Sequence, residues 1–124
     1  MKVIFFDVDN VLNFPESEAL APSGAKGVAD SRVKELRNLM NETGSRIVLT
    51  GKWIADWDFD DKKCTPDGTY LNKKLNKKGL HILDKVNPGD KQQAINEWLE
   101  KRSNVTEWCI LESFDNVKWV TKNG

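Results

Sequence analysis

The sequence predicts an α/β fold with a mostly parallel central sheet, and three observations predict it. Several short segments are apolar throughout, which is typical of strands that are covered on both faces. Segments with apolar residues at helical spacing separate these strands, and strands that alternate with helices indicate a parallel sheet. A chain of 124 residues, 39% hydrophobic and 31% charged, fits a globular protein with a buried core. We therefore expect residues 1–124 to form a single domain.

The first strand and the first helix come early in the chain. Residues 1–6 are mostly apolar and β-prone, so they predict a central strand. A loop rich in Pro, Ser, Gly and Ala follows at residues 13–29. Asp30 or Ser31 then caps a helix that we expect to end at Thr43-Gly44. The apolar residues of this helix recur at helical spacing: Val33, Leu36, Leu39 and Met40.

The middle of the chain predicts two more strands. Residues 46–50 are apolar and β-branched and predict a second buried strand, which Gly51 ends. Residues 52–79 give the weakest pattern, because they combine Asp and Lys pairs, a Pro-Asp-Gly turn signal and a lysine-rich piece. Residues 80–83 predict a short strand.

The last third of the chain predicts a helix and two strands. The turn at residues 87–90 introduces a strong helix from about Lys91 to Lys101, with Asp90 as its cap or as a partner that orients Lys91. Residues 108–111 are apolar throughout and predict a buried strand, whereas residues 117–120 predict an edge strand. The helix has one apolar face: Ala94, Ile95, Trp98 and Leu99.

Composition argues against several classes of protein. The formal net charge of zero argues against a general polyanion binder but is compatible with a local basic patch. Cys64 and Cys109 lack zinc-type spacing, and Cys109 lies in an apolar strand, so we expect it in the core of a reduced, cytoplasmic protein. The sequence has no apolar run of membrane-spanning length and no signal-peptide pattern, so we expect no membrane partner.

Two carboxylates follow the first strand at a spacing that needs an explanation. Asp7 and Asp9 are two residues apart, so in an extended chain their side chains lie on the same side. Two like charges at a strand end are costly unless a cation or a shared proton compensates them. The alternative is a surface turn with solvated acids, but the apolar strand before Asp7 and the apolar Val11-Leu12 after Asp9 argue against it. The pair therefore indicates a metal-assisted site.

Further polar residues follow the other predicted strands. Thr50 ends the second strand, and Glu112 and Asp115 follow the strand at 108–111. Lys91 opens the preceding helix, so its ammonium group can reach the same edge of the sheet. Right-handed crossovers bring the carboxyl ends of parallel strands to one edge, where ligands bind. We therefore expect these residues to converge on Asp7 and Asp9.

This set of residues suits phosphoryl transfer through an aspartyl intermediate. One carboxylate can attack phosphorus directly, and its neighbour can protonate the leaving oxygen and then activate water. Magnesium, which prefers oxygen ligands, would offset the repulsion between carboxylate and phosphate. A hydroxyl group and a lysine would hold the remaining phosphoryl oxygens.

Four motifs resemble those of the haloacid dehalogenase (HAD) phosphatase superfamily. They are Asp7-Val8-Asp9 with Val11-Leu12, Val48-Leu49-Thr50, Lys91, and Ile110-Leu111-Glu112. The resemblance implies a three-layer Rossmann-like fold, a hydrolase (phosphatase) activity and a Mg²⁺ cofactor. It also implies that Asp7 is the nucleophile and a metal ligand, and that Asp9 is the acid and base whose carbonyl binds the metal.

The remaining roles follow from the same resemblance. It implies that Thr50, Gly51 and Lys91 bind the substrate phosphate, and that Glu112 binds the metal, with Asp115 as a further metal candidate. Within the superfamily the chain resembles the small HAD domains associated with bacterial and phage RNA-repair systems. The residues that carry this narrower resemblance are the segment 7–13, Trp53, the helix segment 94–99 and the closing segment 119–121.

The chain departs from the superfamily pattern at three places. The fourth motif, usually a pair of aspartates, is Glu112-Ser113-Phe114-Asp115, and Ser113 supplies no charge. Lys52-Trp53-Ile54 stands where related domains carry Ser-Trp-Arg, so Lys52 would act as a point charge. Asn10 replaces a common glycine, and asparagine tolerates unusual backbone angles.

Two functional hypotheses therefore stand. The first is a Mg²⁺-dependent phosphohydrolase acting on a nucleic-acid end or a nucleotide phosphate. The segments 13–29 and 55–80 are too short for a substantial cap domain, and an open site suits a large substrate, such as a nucleic-acid end or a phosphoprotein, more than a small metabolite. The alternative is a catalytically impaired HAD-fold protein that binds a phosphorylated ligand or partner. A lysine cluster at 73–78 is either a nucleic-acid contact or a solvated helix face. Trp53 and Trp57 either stack on a base or pack in the core.

Overall fold

A five-stranded sheet forms the centre of the protein, whose computed structural model describes residues 1–122. In space the strands follow the order β3-β2-β1-β4-β5. The first four are parallel, and β5 runs antiparallel to β4. The strands are β1 Lys2–Asp7, β2 Arg46–Thr50, β3 Ile82–Lys85, β4 Glu107–Leu111 and β5 Val120–Thr121. The predicted α/β fold with a mostly parallel sheet is confirmed.

Helices cover both faces of the sheet, which makes the fold three-layered. They are α1 Asp30–Thr43, α2 Pro66–Asn76 and α3 Lys91–Glu100, with short 3₁₀ helices at Lys52–Ala55 and Asp61–Lys63. Side chains of α1 and α2 pack in one apolar layer, and those of α3 pack in the other.

Strand β1 shows why the strands lack a polar face. Phe6 lies in the layer formed with α1 and α2, whereas Phe5 lies in the layer formed with α3. The ring of Phe5 meets Trp98 edge-on, with 5.5 Å between centroids. Burying a large apolar side chain stabilises the fold by roughly 1.5–3 kcal/mol. Both alternating sets of β1 side chains contribute to the core in this way.

The strand order creates a switch point beside β1. The chain passes from β1 to β2 and β3 on one side, then crosses through α3 to β4 on the other side of β1. In open α/β sheets, ligands bind in the crevice at such a reversal, outside the carboxyl ends of the strands. Asp7 ends β1 and Glu112 follows β4, so both lie at this point.

The start of α1 differs from the prediction. Ala29 occupies the N-cap position and no side chain caps the helix, so neither Asp30 nor Ser31 is the cap. The Asp30 carboxylate instead accepts a hydrogen bond of 2.8 Å from Lys74 of α2, which lowers the pKa of Asp30. The predicted end at Thr43-Gly44 is confirmed, because Gly44 adopts a left-handed φ of 68°.

Helix α2 occupies the segment where the sequence pattern was weakest. Thr65 caps it by accepting a hydrogen bond from the Gly68 amide, and Pro66 occupies the first turn. The Pro-Asp-Gly turn signal is thus the beginning of a helix. Strand β3 begins at Ile82 and not at residue 80, because Leu80 is buried in the turn after α2, where its amide bonds to the carbonyl of Leu75.

The C-terminal elements are also shifted. Residues 117–120 were predicted as an edge strand, but β5 comprises only Val120–Thr121. Val117 and Trp119 direct partly buried side chains onto the core, so the first part of this segment packs through side chains. Helix α3 ends at Glu100, one residue earlier than predicted, and Asp90 is its cap, accepting a hydrogen bond from the Gln93 amide.

Several predicted core residues are buried. Cys109 is almost fully buried, as predicted, and burial raises the pKa of its thiol to about 12. Trp53 and Trp57 are also buried, which favours packing over base stacking for both rings. Across residues 1–122, the structure contains no helix that combines the length and the apolar character required to cross a membrane.

Gly68 provides a test of the packing around α2. An alanine Cβ at this position would lie 1.9 Å from the carbonyl oxygen of Asp56, which already accepts a hydrogen bond from the Thr65 amide. Glycine to alanine within a helix normally stabilises it by up to about 1 kcal/mol. We expect Gly68→Ala to destabilise the protein by about 1–3 kcal/mol in urea unfolding, because the backbone at Asp56 must move to make room for the added methyl group.

The matched control for this prediction is Asn76→Ala at the exposed C-terminal end of the same helix. It should change the free energy of unfolding by no more than about 0.5 kcal/mol. Equal or greater stability of Gly68→Ala relative to the wild-type protein would contradict the close approach of α2 to Asp56.

Candidate active site

One cavity at the carboxyl edge of the sheet gathers most of the predicted site residues. It has a volume of about 240 Å³ and lies among the ends of β1, β2 and β4 and the start of α3. The β1–β2 register pairs Asp7 with Thr50, which explains why the two side chains meet. The polar side chains that line the cavity are Asp7, Asp9, Asn10, Thr50, Lys91 and Glu112.

Both carboxylate oxygens of Asp7 have a donor. The hydroxyl of Thr50 donates to Oδ1 at 2.5 Å, and the ammonium group of Lys91 lies 3.2 Å from Oδ2. Thr50 is almost completely buried, whereas the side chain of Lys91 is 45% exposed. One oxygen of Asp7 is therefore held by a buried group, and the other faces an ammonium group that solvent reaches.

Gly51 allows the chain to leave β2 directly against Asp7. Its φ of +80° lies in the region that favours glycine. A Cβ at this position would lie 2.7 Å from both Cγ and Oδ1 of Asp7. Gly51 contributes to a neighbouring cavity together with Lys52 and Lys91, and it does not line the cavity around Asp7.

Asp9 is held by three side chains. Asn13 and Trp53 donate to Oδ1 at 3.0 and 3.4 Å, and the ammonium group of Lys52 lies 3.2 Å from Oδ2. Burial raises the pKa of Asp9, but hydrogen bonds from Asn13 and Lys52, the charge of Lys52 and the hydrogen bond from Trp53 together lower it below its ordinary value. Asp9 is therefore a carboxylate at neutral pH.

A tight turn after β1 carries Asp9 and its main partner. The carbonyl of Val8 accepts a hydrogen bond from the Leu12 amide, and Asn10 adopts a φ of 71°. The expectation that Asn10 tolerates an unusual backbone angle is therefore confirmed. Asn13 is buried, and its side chain accepts from the Asn10 amide at 2.8 Å while it donates to Asp9. A single amide group thus fixes both the turn and the carboxylate.

The sequence did not single out Asn13 as a partner of Asp9. The available signal was its position four residues after the aspartate in a turn-forming segment, where Asn side chains often bond to nearby backbone. Lys52 was expected to replace a missing arginine as a point charge, and its ammonium group lies on Asp9. Neither contact follows from the spacing of residues along a strand.

The acidic residues differ in their positions relative to the cavity. Glu112 lines it together with Asp7 and Asp9, whereas Asp115 is exposed on the following turn and does not line it. Three carboxylates are the oxygen donors that Mg²⁺ prefers. In residues 1–122, however, no three Asp, Glu, His or Cys side chains are close enough to form a metal-binding group. The carboxylate oxygens are donors of the type that fits Mg²⁺. In the free protein, the ammonium groups of Lys52 and Lys91 contact Asp9 and Asp7 instead.

The chain also matches one known protein family over most of its length. Residues 3–123 match the family described as the HAD domain in Swiss Army Knife RNA repair proteins. The match covers almost the whole chain and confirms the resemblance that the four motifs indicate. No curated protein and no solved structure matches the chain.

Asn13 provides a test of how Asp9 is held. We expect Asn13→Ala to raise the pKa of Asp9 towards its ordinary value, because a hydrogen bond to the ionised carboxylate is lost. In the wild-type protein, the lowered pKa of Asp9 stabilises the fold at pH values above about 3.9, the ordinary pKa of an aspartate in an unfolded chain. This stabilisation is lost as the pH falls through the lower pKa that Asp9 has in the folded protein. That acid-side loss should be smaller in the variant.

The measurement is an NMR titration of the Asp9 carboxyl carbon in both proteins, combined with urea unfolding between neutral and acidic pH. Asn41→Ala on the exposed surface of α1 is the matched control and should leave the Asp9 titration unchanged. An unchanged pKa of Asp9 in Asn13→Ala would contradict the assignment of this contact.

Proposed function

The chain belongs to the family of HAD domains in Swiss Army Knife RNA repair proteins, and from that membership we propose that it is a Mg²⁺-dependent phosphatase that works through a phosphorylated Asp7. The environment of Asp7 carries the proposal. Thr50 and Lys91 hold its two oxygens, and Asp9 lies in the same cavity. A carboxylate of fixed orientation beside a second carboxylate supports nucleophilic attack with acid-base assistance.

In the first step, a carboxylate oxygen of Asp7 attacks the phosphorus of a phosphate monoester. A bond forms between Asp7 and phosphorus while the bond from phosphorus to the leaving oxygen breaks, and Asp9 gives that oxygen a proton. The free protein holds Asp9 ionised, because its pKa is lowered. A phosphate dianion adds negative charge beside Asp9 and opposes that lowering, so Asp9 takes up its proton together with the substrate.

In the second step, Asp9 takes a proton from a water molecule as that water attacks phosphorus. The bond between phosphorus and Asp7 breaks, which restores the carboxylate and releases inorganic phosphate. While Asp7 is phosphorylated, the negative charge lies on the phosphoryl oxygens. We assign Thr50, Lys91 and the backbone of Gly51 to these oxygens. Thr50 and Lys91 donate to the Asp7 carboxylate in the free protein, and they can donate to the phosphoryl oxygens once these carry the negative charge.

We assign Mg²⁺ to the carboxylates of Asp7 and Glu112 and to the backbone carbonyl of Asp9, because all three residues line one cavity. When bound, Mg²⁺ offsets the repulsion between the carboxylates and the phosphate. Lys52 can leave Asp9 at little cost, because its side chain is 74% exposed and exposed ion pairs contribute little stability. We assign no direct metal bond to Asp115, which lies outside the cavity.

The substrate class follows from the family and from the shape of the site. The family description names RNA repair proteins. The segment 13–29 forms a loop with one short bridge, and the segment 55–80 contains α2, which packs in the core. Residues 1–122 therefore form no cap over the cavity, and this supports a large phosphorylated substrate, namely a nucleic-acid end, over a small metabolite.

A second function is favoured by the charge arrangement around Asp9. Lys52 already neutralises this carboxylate, and Ser113 follows Glu112 where the superfamily has a second acid. A protein that only binds a phosphorylated ligand or partner would keep Lys52 and Lys91 as anion contacts without turnover. Catalytic tests distinguish the two functions.

The first test replaces the nucleophile. We expect the wild-type protein to hydrolyse an aryl phosphate in the presence of Mg²⁺, and Asp7→Asn to lose at least about 10³-fold in kcat/KM, because an amide does not attack phosphorus. Asp67→Asn, at a carboxylate that bonds to Ser23 and does not line the cavity, is the control and should retain activity if it folds. Circular dichroism checks folding.

If the wild-type protein hydrolyses no aryl, nucleotide or oligonucleotide phosphate, the result would contradict the proposed phosphatase activity and favour the binding function. Activity that persists in Asp7→Asn would contradict the assignment of the nucleophile while leaving a hydrolase in place.

The second test concerns the metal. We expect EDTA to abolish hydrolysis and Mg²⁺ to restore it. Glu112→Gln should raise the Mg²⁺ concentration for half-maximal activity about tenfold or more, because one anionic oxygen donor is lost. Glu100→Gln, at the exposed end of α3, should leave that concentration unchanged. Activity that survives EDTA, or a Glu112→Gln variant with the wild-type Mg²⁺ requirement, would contradict the metal assignment.

A further inference from the structure

The active-site cavity continues along the surface of the protein. Lys91 lines both this cavity and a neighbouring one of about 380 Å³. That second cavity shares Ile54 and Pro88 with a third, of about 430 Å³, which extends to Phe59 and Arg102. The three form one path, which we call the lateral groove. It runs from Lys91 between the 3₁₀ helix Lys52–Ala55 and the start of α3.

The lateral groove is predominantly basic beyond the catalytic carboxylates. Its two outer cavities are lined by five cationic side chains and two carboxylates. The cations are Lys52, Lys85, Lys91, Lys101 and Arg102, and the carboxylates are Asp84 and Glu97.

Some of these charges are already compensated inside the fold. Arg102 and Trp98 both donate to Asp84, at 2.7 and 2.8 Å, so the Asp84 carboxylate is neutralised. The ammonium group of Lys85 donates to two backbone carbonyls beside the 3₁₀ helix. Lys52 and Lys91 pair with Asp9 and Asp7, but both side chains are exposed to solvent, as is Lys101. Exposed cations along an open groove suit a chain of phosphates.

An exposed aromatic ring lies in the outermost cavity. Phe59 is 64% exposed, and its ring packs at an angle of 61° against that of buried Trp57, with 5.0 Å between centroids. A single exposed apolar residue is common and is not a binding site by itself. The position of Phe59 is the informative feature, because a ring that packs against a buried neighbour and is still largely exposed in a cavity provides a surface on which a nucleobase can stack.

We propose that the lateral groove binds the single-stranded nucleotides adjacent to the terminal phosphate, with Lys52 and Lys101 beside the backbone and Phe59 stacked on a base. This inference rests on the proposed function, because it places the terminal phosphate at Asp7. A single strand suits this groove, because bases inside a duplex are stacked on their neighbours and present no open face to a side chain. Cationic side chains along the path and an aromatic ring at its end match this ligand better than a peptide.

The lysine cluster at residues 73–78 is the competing surface. Lys74 is paired with Asp30 at 2.8 Å, and it helps to hold α2 against α1. The cavities that this cluster lines share no residue with the active-site cavity or with the lateral groove. A strand that lies on this cluster would therefore not follow a cavity into the site.

The experiment compares substrates of increasing length. The values of kcat/KM are measured for an aryl phosphate, for mononucleotides, and for single-stranded RNA hexamers with a 3′- or a 5′-phosphate. We expect one hexamer to exceed the matching mononucleotide. Phe59→Ala should lower the ratio of hexamer to aryl-phosphate kcat/KM about tenfold, as expected for one lost stacking contact. Leu20→Ala, at a side chain that is 67% exposed elsewhere, should leave that ratio unchanged.

A salt series tests the basic side chains. Lys101→Ala should reduce the salt dependence of hexamer kcat/KM, because one phosphate contact is lost. Lys34→Ala on the exposed face of α1 is the matched control and should not change it. A larger effect of Lys73→Ala than of Lys101→Ala would place the strand on α2 and overturn the proposal.

The outcomes separate this inference from the proposed function. Two results would overturn the proposed binding of nucleotides in the lateral groove and leave the phosphatase activity intact. One is aryl-phosphate hydrolysis with no higher kcat/KM for the hexamers than for the mononucleotides. The other is a hexamer to aryl-phosphate ratio of kcat/KM that Phe59→Ala does not change. If no substrate is turned over, binding of the labelled hexamers is measured by fluorescence anisotropy. A roughly tenfold weaker affinity of Phe59→Ala would then support the groove in a binding protein, and equal affinity would overturn it.

Discussion

The repulsion between two carboxylates at the end of one strand constrains the whole structure. Asp7 ends β1 and Asp9 lies two residues further on, and their charges need compensation in the folded chain. The partners come from separate segments: Thr50 ends β2, Lys52 begins a 3₁₀ helix and Lys91 opens α3. The strand order that puts β2 beside β1, and the crossover through α3, are therefore what makes the pair tolerable. A fold without that order would leave two anions without cations.

The parts of the fold that burial determines could be predicted from the sequence, and the parts that local hydrogen bonds determine could not. Strands β1, β2 and β4 are covered on both faces, so their sequences are apolar throughout and are easily recognised. The predicted N-cap of α1 was wrong because the Asp30 side chain bonds to Lys74 of another helix, a contact that no local sequence pattern indicates. Helix α2 was missed because its capping signal, Thr65-Pro66-Asp67-Gly68, has the composition of a turn.

The same division applies to the site. The convergence of five residues could be predicted, because each ends or follows a strand or opens a helix at one edge of the sheet: Asp7, Asp9, Thr50, Lys91 and Glu112. Asn13 and Trp53 could not, because their contacts with Asp9 depend on a tight turn and on a neighbouring loop. The distinction between Glu112 and Asp115 depends on the course of the turn after β4, and spacing alone does not determine that course.

The central claim is that Asp7 becomes covalently phosphorylated during hydrolysis. The most direct measurement is mass spectrometry of the intact protein and its peptides after rapid acid quenching during turnover of an excess of aryl phosphate with Mg²⁺. The mechanism predicts one phosphoryl group on the peptide that contains Asp7, labile to hydroxylamine and absent from Asp7→Asn. Sustained hydrolysis with no phosphoryl group on that peptide, or with one on a different residue, would contradict the mechanism.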